Sequence, residues 1–407
     1  MKIAPAPSVP RDPLAFTGRH GIGVQWPFIG PQATDPNSPT STWAAVPYAW
    51  PNPSDFTVHC DAETLDGFRQ AGFDHIRLGV HPGPWMEGVG LGQPRLDYLF
   101  GLLDTAIDSI ISSGLGVIID MHPTTYLITQ YFPVSCLDGS TQFALYDQVL
   151  GMFAARYRNR PTSRLALSLF NEPPAPSDFA GDWNTMQRQL YETARRQMSA
   201  HTLVLTSTTF AKIDDLIASD PRNFDSNTLF DIHPYIPALA AIQGYLPSSY
   251  NRYVYGLNYP PGAEGQTKSS VIAAMTTQVN ADPNLTNQQK LDTIASQTTE
   301  IGFYFDIPLN KNWINFELSK IDTWCSTYGI PRARIICAEY GSTRDNEDYT
   351  GMPYDSRVRY YADIAAVIKD HGFRRTVFAA DAKDYGITLA TGNTIGELDP
   401  AFLNAIT

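Results

Sequence analysis

The chain has 407 residues, a formal net charge of -12 and 43% hydrophobic content. That apolar fraction can fill a large core, while the acidic balance argues against nucleic acid or an anionic membrane surface, both of which call for basic patches. Four cysteines (Cys60, Cys136, Cys325, Cys337) are too few and too scattered for a disulfide framework, no pair has metal-ligand spacing, and no segment approaches the roughly 18 apolar residues of a membrane span.

The opening MKIAPAPSVPRDP lacks the apolar stretch of a signal peptide, and residues 1–18 read as an N-terminal extension. The expectation is a secreted or periplasmic protein whose leader is absent from this chain, with a cytoplasmic location left open. The first apolar run is GIGVQW (21–26), followed by a Pro-rich connection from Pro27 to about Asp61 that holds Trp43, Tyr48 and Trp50. Residues 61–72 then read as a helix with Asp61 as N-cap and Gly72 as stop. HIRLGV (75–80) is the second run, the helical pattern 96–114 closes on Gly114, and GVIIDMH (116–122) is the third. LALSLFNE (165–172), TLVLTST (202–208) and TLFDIHPY (228–235) follow in turn. A long segment, 237–312, carries Tyr245, Tyr250, Tyr253, Tyr255 and Tyr259, with helical stretches at 269–279 and near 287–300. ARIICAEY (333–340) and TVFAAD (376–381) complete eight runs, each followed by helix-compatible sequence.

Near-continuous apolar runs suit strands covered on both faces, and strand alternating with helix eight times predicts an α/β fold, a (β/α)8 TIM barrel. A doubly wound sheet would show a Gly-rich first turn, which is missing. With no linker or repeat, the reading is a single catalytic domain over 1–407, a monomer, with 237–312 inserted after strand six as a lid or wall on the catalytic face.

Glu172 and Glu339 each end an apolar run just before a chain-turning residue, Pro173 or Gly341. Carboxylates at the C-terminal ends of barrel strands sit where such barrels carry their chemistry, and two of them supply the proton donor and the nucleophile or base of glycoside hydrolysis. Cys337, two residues before Glu339, is expected on the same strand face, pointing into the barrel as a buried thiol.

LSLFNEP, HPY at 233–235, AEYG, LDTAIDSIISSGLGVIIDMH and HIRLGV together resemble, in order, the strand motifs of glycoside hydrolase family 5, the cellulase-like retaining enzymes of clan A. The resemblance runs from about Gly21 to Leu389. It implies Glu172 as acid/base, Glu339 as nucleophile, Asn171 on the sugar 2-hydroxyl, and Arg77 and Tyr235 on the Glu339 carboxylate. It also implies that His122 and His233 line the sugar site, and that no cofactor or metal is needed. The strand-eight tryptophan usual in the family is missing from TVFAADAKDYG. Phe378 or Trp26 could take its place, and Asp381 or Lys383 could add polar contacts suited to a substituted sugar.

The function expected is a retaining endo-β-glucanase acting on a carbohydrate. The alternatives are an exo-acting β-glucosidase or β-mannanase type enzyme on an unusual glycan, or a catalytically silent carbohydrate-binding barrel. A metal-dependent hydrolase using Asp120, His122 and His233 is a further reading, disfavoured because GIGVQW has no histidine.

Overall fold

A computed structural model describes residues 14–24, 61–123, 141–175, 182–245, 253–347, 349–390 and 395–407. Eight strands close in sequence order into a barrel: β1 (His20–Val24), β2 (His75–Val80), β3 (Gly116–Met121), β4 (Leu165–Ser168), β5 (Thr202–Thr206), β6 (Thr228–Ile232), β7 (Ile335–Tyr340) and β8 (Arg374–Val377). Every pairing is parallel, and β8 returns to β1 through Gly21 opposite Thr376. This is the (β/α)8 architecture expected from the alternation of runs.

The helices among the described residues, single turns aside, are α1 (Ala62–Gln70), α2 (Gly83–Leu91), α3 (Gln93–Ser112), α4 (Thr141–Tyr157), α5 (Trp183–Gln197) and α6 (Ile213–Ala218). They continue with α7 (Lys268–Ala281), α8 (Asn287–Asp306), α9 (Lys311–Tyr328), α10 (Tyr354–Asp370) and α11 (Pro400–Ile406). Asp61 caps α1 by accepting from the Thr64 backbone N–H, satisfying a donor that the first turn leaves orphaned. The Tyr-rich segment folds into α7 and α8, which pack on each other. Tyr259 is buried and donates to Asp363 at 2.9 Å, and Tyr253 donates to Asp282 at 2.7 Å, so both hydroxyls fasten the segment in place.

Residues two apart on a strand share a face, and the barrel sorts them accordingly. Ile118, Ala166, Val204, Leu229, Ile336 and Ala338 meet Phe16 in a small cluster inside the barrel. Their strand neighbours, such as Val117, Leu167, Leu203 and Ile335, join the larger core beneath the helices. Cys337 belongs to that outer core, which corrects the expectation that it points inward with Glu339. The cause is an irregularity in the β7–β8 register between Cys337 and Tyr340, which breaks the alternation just before the glutamate is presented. The thiol is buried, as expected, and burial pushes its pKa well up.

Strand limits differ from the apolar runs at their functional ends. β4 stops at Ser168, four residues short of Glu172, and β8 covers 374–377 where the run was placed at 376–381. Tightness, not a turn, explains Gly341: a Cβ there would lie 2.6 Å from the Phe378 carbonyl. The chain turns instead at Glu172 itself, whose φ of 42° is in the left-handed region.

Candidate active site

The C-terminal ends of β2, β3, β4, β6 and β7 converge on one polar cluster at the barrel mouth. Arg77, third residue of β2, is buried and reaches three strands. It donates to Glu339 Oε1 at 2.6 Å and to Asn171 Oδ1 at 2.6 Å, and lies 2.9 Å from Asp120 Oδ2. Such a planar fork suits several acceptors at once and stays charged at any working pH.

Asp120 on β3 accepts from His122 Nδ1 at 2.6 Å, and His122 Nε2 faces the Asn171 amide nitrogen at 3.1 Å. Because Arg77 can only donate, its contact fixes Oδ1 of Asn171 as the acceptor and leaves the amide N–H groups to face His122 and the cleft. Burial works against ionisation of Asp120, but the Arg77 guanidinium and His122 beside it hold its carboxyl down at about 2.

β6 and its extension contribute Asp231, His233 and Tyr235, spaced by two and so on one face. His233 is fully enclosed. Its Nδ1 lies 2.8 Å from Glu172 Oε1 and 3.7 Å from Glu339 Oε2, and its Nε2 lies 3.1 Å from Asp231 Oδ2. Burial opposes a charge on this ring, yet Glu339 and Asp231 outweigh it and raise the imidazole pKa well above the ordinary value. Tyr235 donates its hydroxyl to Glu339 Oε2 at 2.7 Å.

Glu339 therefore has donors on both oxygens. Burial favours its neutral form, but His233 and Arg77 together with the Tyr235 hydroxyl hold the carboxyl below the usual range. Access differs between the two glutamates: the Glu172 side chain is 21% exposed and that of Glu339 only 5%. One carboxylate oxygen of each, with a ring nitrogen of His233, all lie within 4.8 Å of one another.

By distance alone these three groups could converge on a cation. Arg77 and Tyr235 already direct donors at the two oxygens of Glu339, so protein N–H and O–H groups stand where a cation would have to bind that carboxylate. Asp120 and His122 are instead tied to Arg77 and Asn171.

Glu172 is held by its surroundings as well as by its own turn. Thr209 and Phe210, with φ of 53° and 62°, donate their backbone N–H groups to the carbonyls of Pro174 and Pro173. Ala211, with φ of 59°, accepts from the His233 N–H at 2.9 Å. The loop after β5 thus ties the segment after Glu172 to His233.

Of the residues singled out in the sequence, Arg77, His122, Asn171, Glu172, His233, Tyr235 and Glu339 come together in this cluster. Phe378 stands beside it, buried, edge-on to Tyr235 with centroids 6.5 Å apart and to Tyr385 at 5.4 Å. Tyr385 also packs on Tyr235 and Tyr245, so among the described residues the aromatic cluster at strand eight is built from Phe and Tyr. Asp381 is buried next to this strand, and Lys383 pairs with Glu347 at 2.7 Å. Trp26 lies outside the described residues, as does most of the first long connection. Sequence reasoning missed Asp231 and Tyr385. The signal for Asp231 was its place two residues before His233 on a barrel strand, whereas Tyr385 had none.

The fold has many relatives. A glycoside hydrolase crystal structure superposes with a TM-score of 0.65 at 13% identity, covering 96% of this chain and 98% of that one. Cellulose synthase subunit Z from Clostridioides difficile gives 0.62 at 17% identity, with 96% and 99% covered. Endoglucanase Cel5A from Thermotoga maritima gives 0.59 at 17% identity, with 96% and 97% covered. No curated protein sequence matches the chain. The family described as Cellulase (glycosyl hydrolase family 5) matches residues 34–384, most of the length, and the chain, a glycoside hydrolase, belongs to that family.

Proposed function

We propose that the protein is a retaining endo-β-glucanase in which Glu339 is the nucleophile and Glu172 the acid/base. The observation that carries this reading is the pair of carboxylates, one oxygen of each within 4.8 Å of the other, one buried among donors and one partly open. Retaining enzymes hold the two carboxyl groups about 5–5.5 Å apart, whereas inverting ones leave about 6.5–9.5 Å for a water.

In the first step a Glu339 oxygen attacks the anomeric carbon while Glu172 gives its proton to the departing glycosidic oxygen. In the second, Glu172 takes a proton from water, whose oxygen displaces Glu339 and restores both groups. Arg77, Tyr235 and His233 keep Glu339 anionic and aimed. Asn171, with its oxygen on Arg77, has an amide N–H to offer the sugar 2-hydroxyl, a contact that strengthens in the transition state. His122 acts through Asn171, since both of its ring nitrogens are engaged. Tyr245, only partly buried where it packs on Tyr385, offers a ring on which a sugar can stack.

The test is a panel of defined β-linked gluco- and manno-oligosaccharides, with the anomer of the first product followed by NMR. Retention with internal cleavage of glucan chains is expected; inversion, or no hydrolysis of any β-glycoside, overturns the reading. Glu339→Ala should lose turnover, and azide should restore part of it on an activated aryl glycoside, giving the α-glycosyl azide. Substantial activity without azide would reassign the nucleophile.

A further inference from the structure

Asp231 is wholly buried, makes no contact with the cleft, and yet is fixed at both oxygens. Its Oδ1 accepts the Ala338 backbone N–H at 3.0 Å, next to Glu339, and its Oδ2 faces His233 Nε2 at 3.1 Å. The opposite ring nitrogen faces Glu172 at 2.8 Å. A buried carboxylate without a charged partner is costly, so its retention under the reacting pair calls for a reason.

Resting on the acid/base assignment above, we propose that Asp231 is a positioning residue. It holds His233 as an imidazolium with Nε2–H on itself and Nδ1–H aimed at Glu172. This cation does not give up its proton. It stays in place while Glu172 loses a proton to the leaving group and regains one from water, and it stabilises the carboxylate formed between those steps. Its Nδ1–H also lies near Glu339, so one fixed charge serves both glutamates. The groups facing this ring are Glu172 from the segment after β4, Glu339 from β7 and Asp231 from its own strand. Arg77 and His122 stand behind Glu339, and the Cys337 thiol is near Asp231.

Asp231→Asn separates this role from packing. The Asn oxygen would keep the Ala338 N–H, turning its NH2 toward His233 Nε2. The ring must then accept there and becomes neutral, with Nδ1–H still on Glu172. Both glutamates lose a neighbouring positive charge, so both limbs of the kcat/KM–pH bell should move to higher pH. kcat for poor leaving groups should fall more than for activated aryl glycosides, with KM little changed. A uniform loss of activity with both limbs unmoved would make Asp231 a packing residue and overturn the proposal.

A second measurement does not depend on the variant or on activity. In wild-type protein with ¹⁵N-labelled histidine, the His233 ring, assigned through its Cβ correlations, should still carry protons on both nitrogens well above the ordinary histidine value. Titration near the ordinary histidine value of about 6.5 would refute the imidazolium. If the wild type hydrolyses no β-glycoside, the proposed function fails while this spectrum still reports on Asp231.

Discussion

At the scale of single residues, the site works by surrounding buried acids with fixed donors. Two carboxyls of this cluster sit below their ordinary pKa: Glu339 beside His233 and Arg77, and Asp120 at about 2 beside Arg77 and His122. A depressed acid stabilises the fold above its unfolded pKa and loses that contribution as pH falls through its folded value. Melting temperature should therefore hold down to about pH 4 and fall between about pH 4 and 2. His233 has the opposite sign: its contribution is full below about pH 6.5 and fades only as pH rises through its raised value. Arg77→Lys should keep a charge but lose the fork that spans Glu339 and Asn171. A drop in kcat of roughly 10²–10³-fold is expected, with the acidic limb of the profile moved up as Glu339 loses the Arg77 Nη1 donor. Kinetics over pH 3–8 would check it, and an unchanged acidic limb would mean that Arg77 does not control Glu339.

At the scale of elements, the informative piece is the loop after β5. Three successive non-glycine residues, Thr209 to Ala211, adopt left-handed backbone, each at a cost of about 1–2 kcal/mol, and are held by bonds to Pro173, Pro174 and His233. Thr209→Gly should therefore stay within about 1 kcal/mol of wild type, since glycine accepts this φ freely but loosens the unfolded chain. Thr209→Pro cannot adopt φ of 53° and lacks the N–H given to Pro174, so both melting temperature and kcat should fall. Equal behaviour of the two variants would show that this loop does not support Glu172. The same loop marks the limit of what the sequence discloses. HIRLGV and TLVLTST were legible as strands because a run covered on both faces leaves an unbroken apolar pattern. Glu172 and Glu339 stood out because carboxylates at the ends of such runs have few structural uses, whereas Arg77, Asn171 and Tyr235 were reached through the resemblance to family 5. The left-handed turn left no glycine to announce it. The displaced start of β8 was hidden by Arg374 and Arg375, which are buried through backbone carbonyls far away in sequence, among them Phe16 and Ile406. The β7 irregularity that turns Cys337 outward is likewise set by pairing with β8, not by local composition.

At the scale of the whole molecule, charge decides which polymers approach easily. With a net charge of -12, the protein should act on neutral glucan at a rate nearly independent of salt. A carboxymethylated derivative of the same glucan should be repelled, and its kcat/KM should rise as salt increases to about 0.5 M and screens the repulsion. Parallel salt series on the two polymers would test this, and identical responses would show that the field at the cleft is not that of the whole protein. EDTA should leave activity intact, since the charges balancing the glutamates are Arg77 and His233. Loss reversed by a divalent ion would make the Glu172, His233 and Glu339 group a metal site.

The donors gathered around Glu339 have a consequence for the protein that lacks it. Truncating that side chain leaves Arg77 Nη1, the Tyr235 hydroxyl and the edge of His233 pointing into one small, buried, electropositive hollow. Such a hollow should act as a receptor for small anions. Glu339→Ala should bind chloride, formate or azide in the absence of any sugar, and its melting temperature should climb with their concentration while that of the wild type stays flat. Ranking those anions by the stabilisation they confer would measure the size of the hollow directly, as a thermodynamic cast of the missing carboxylate.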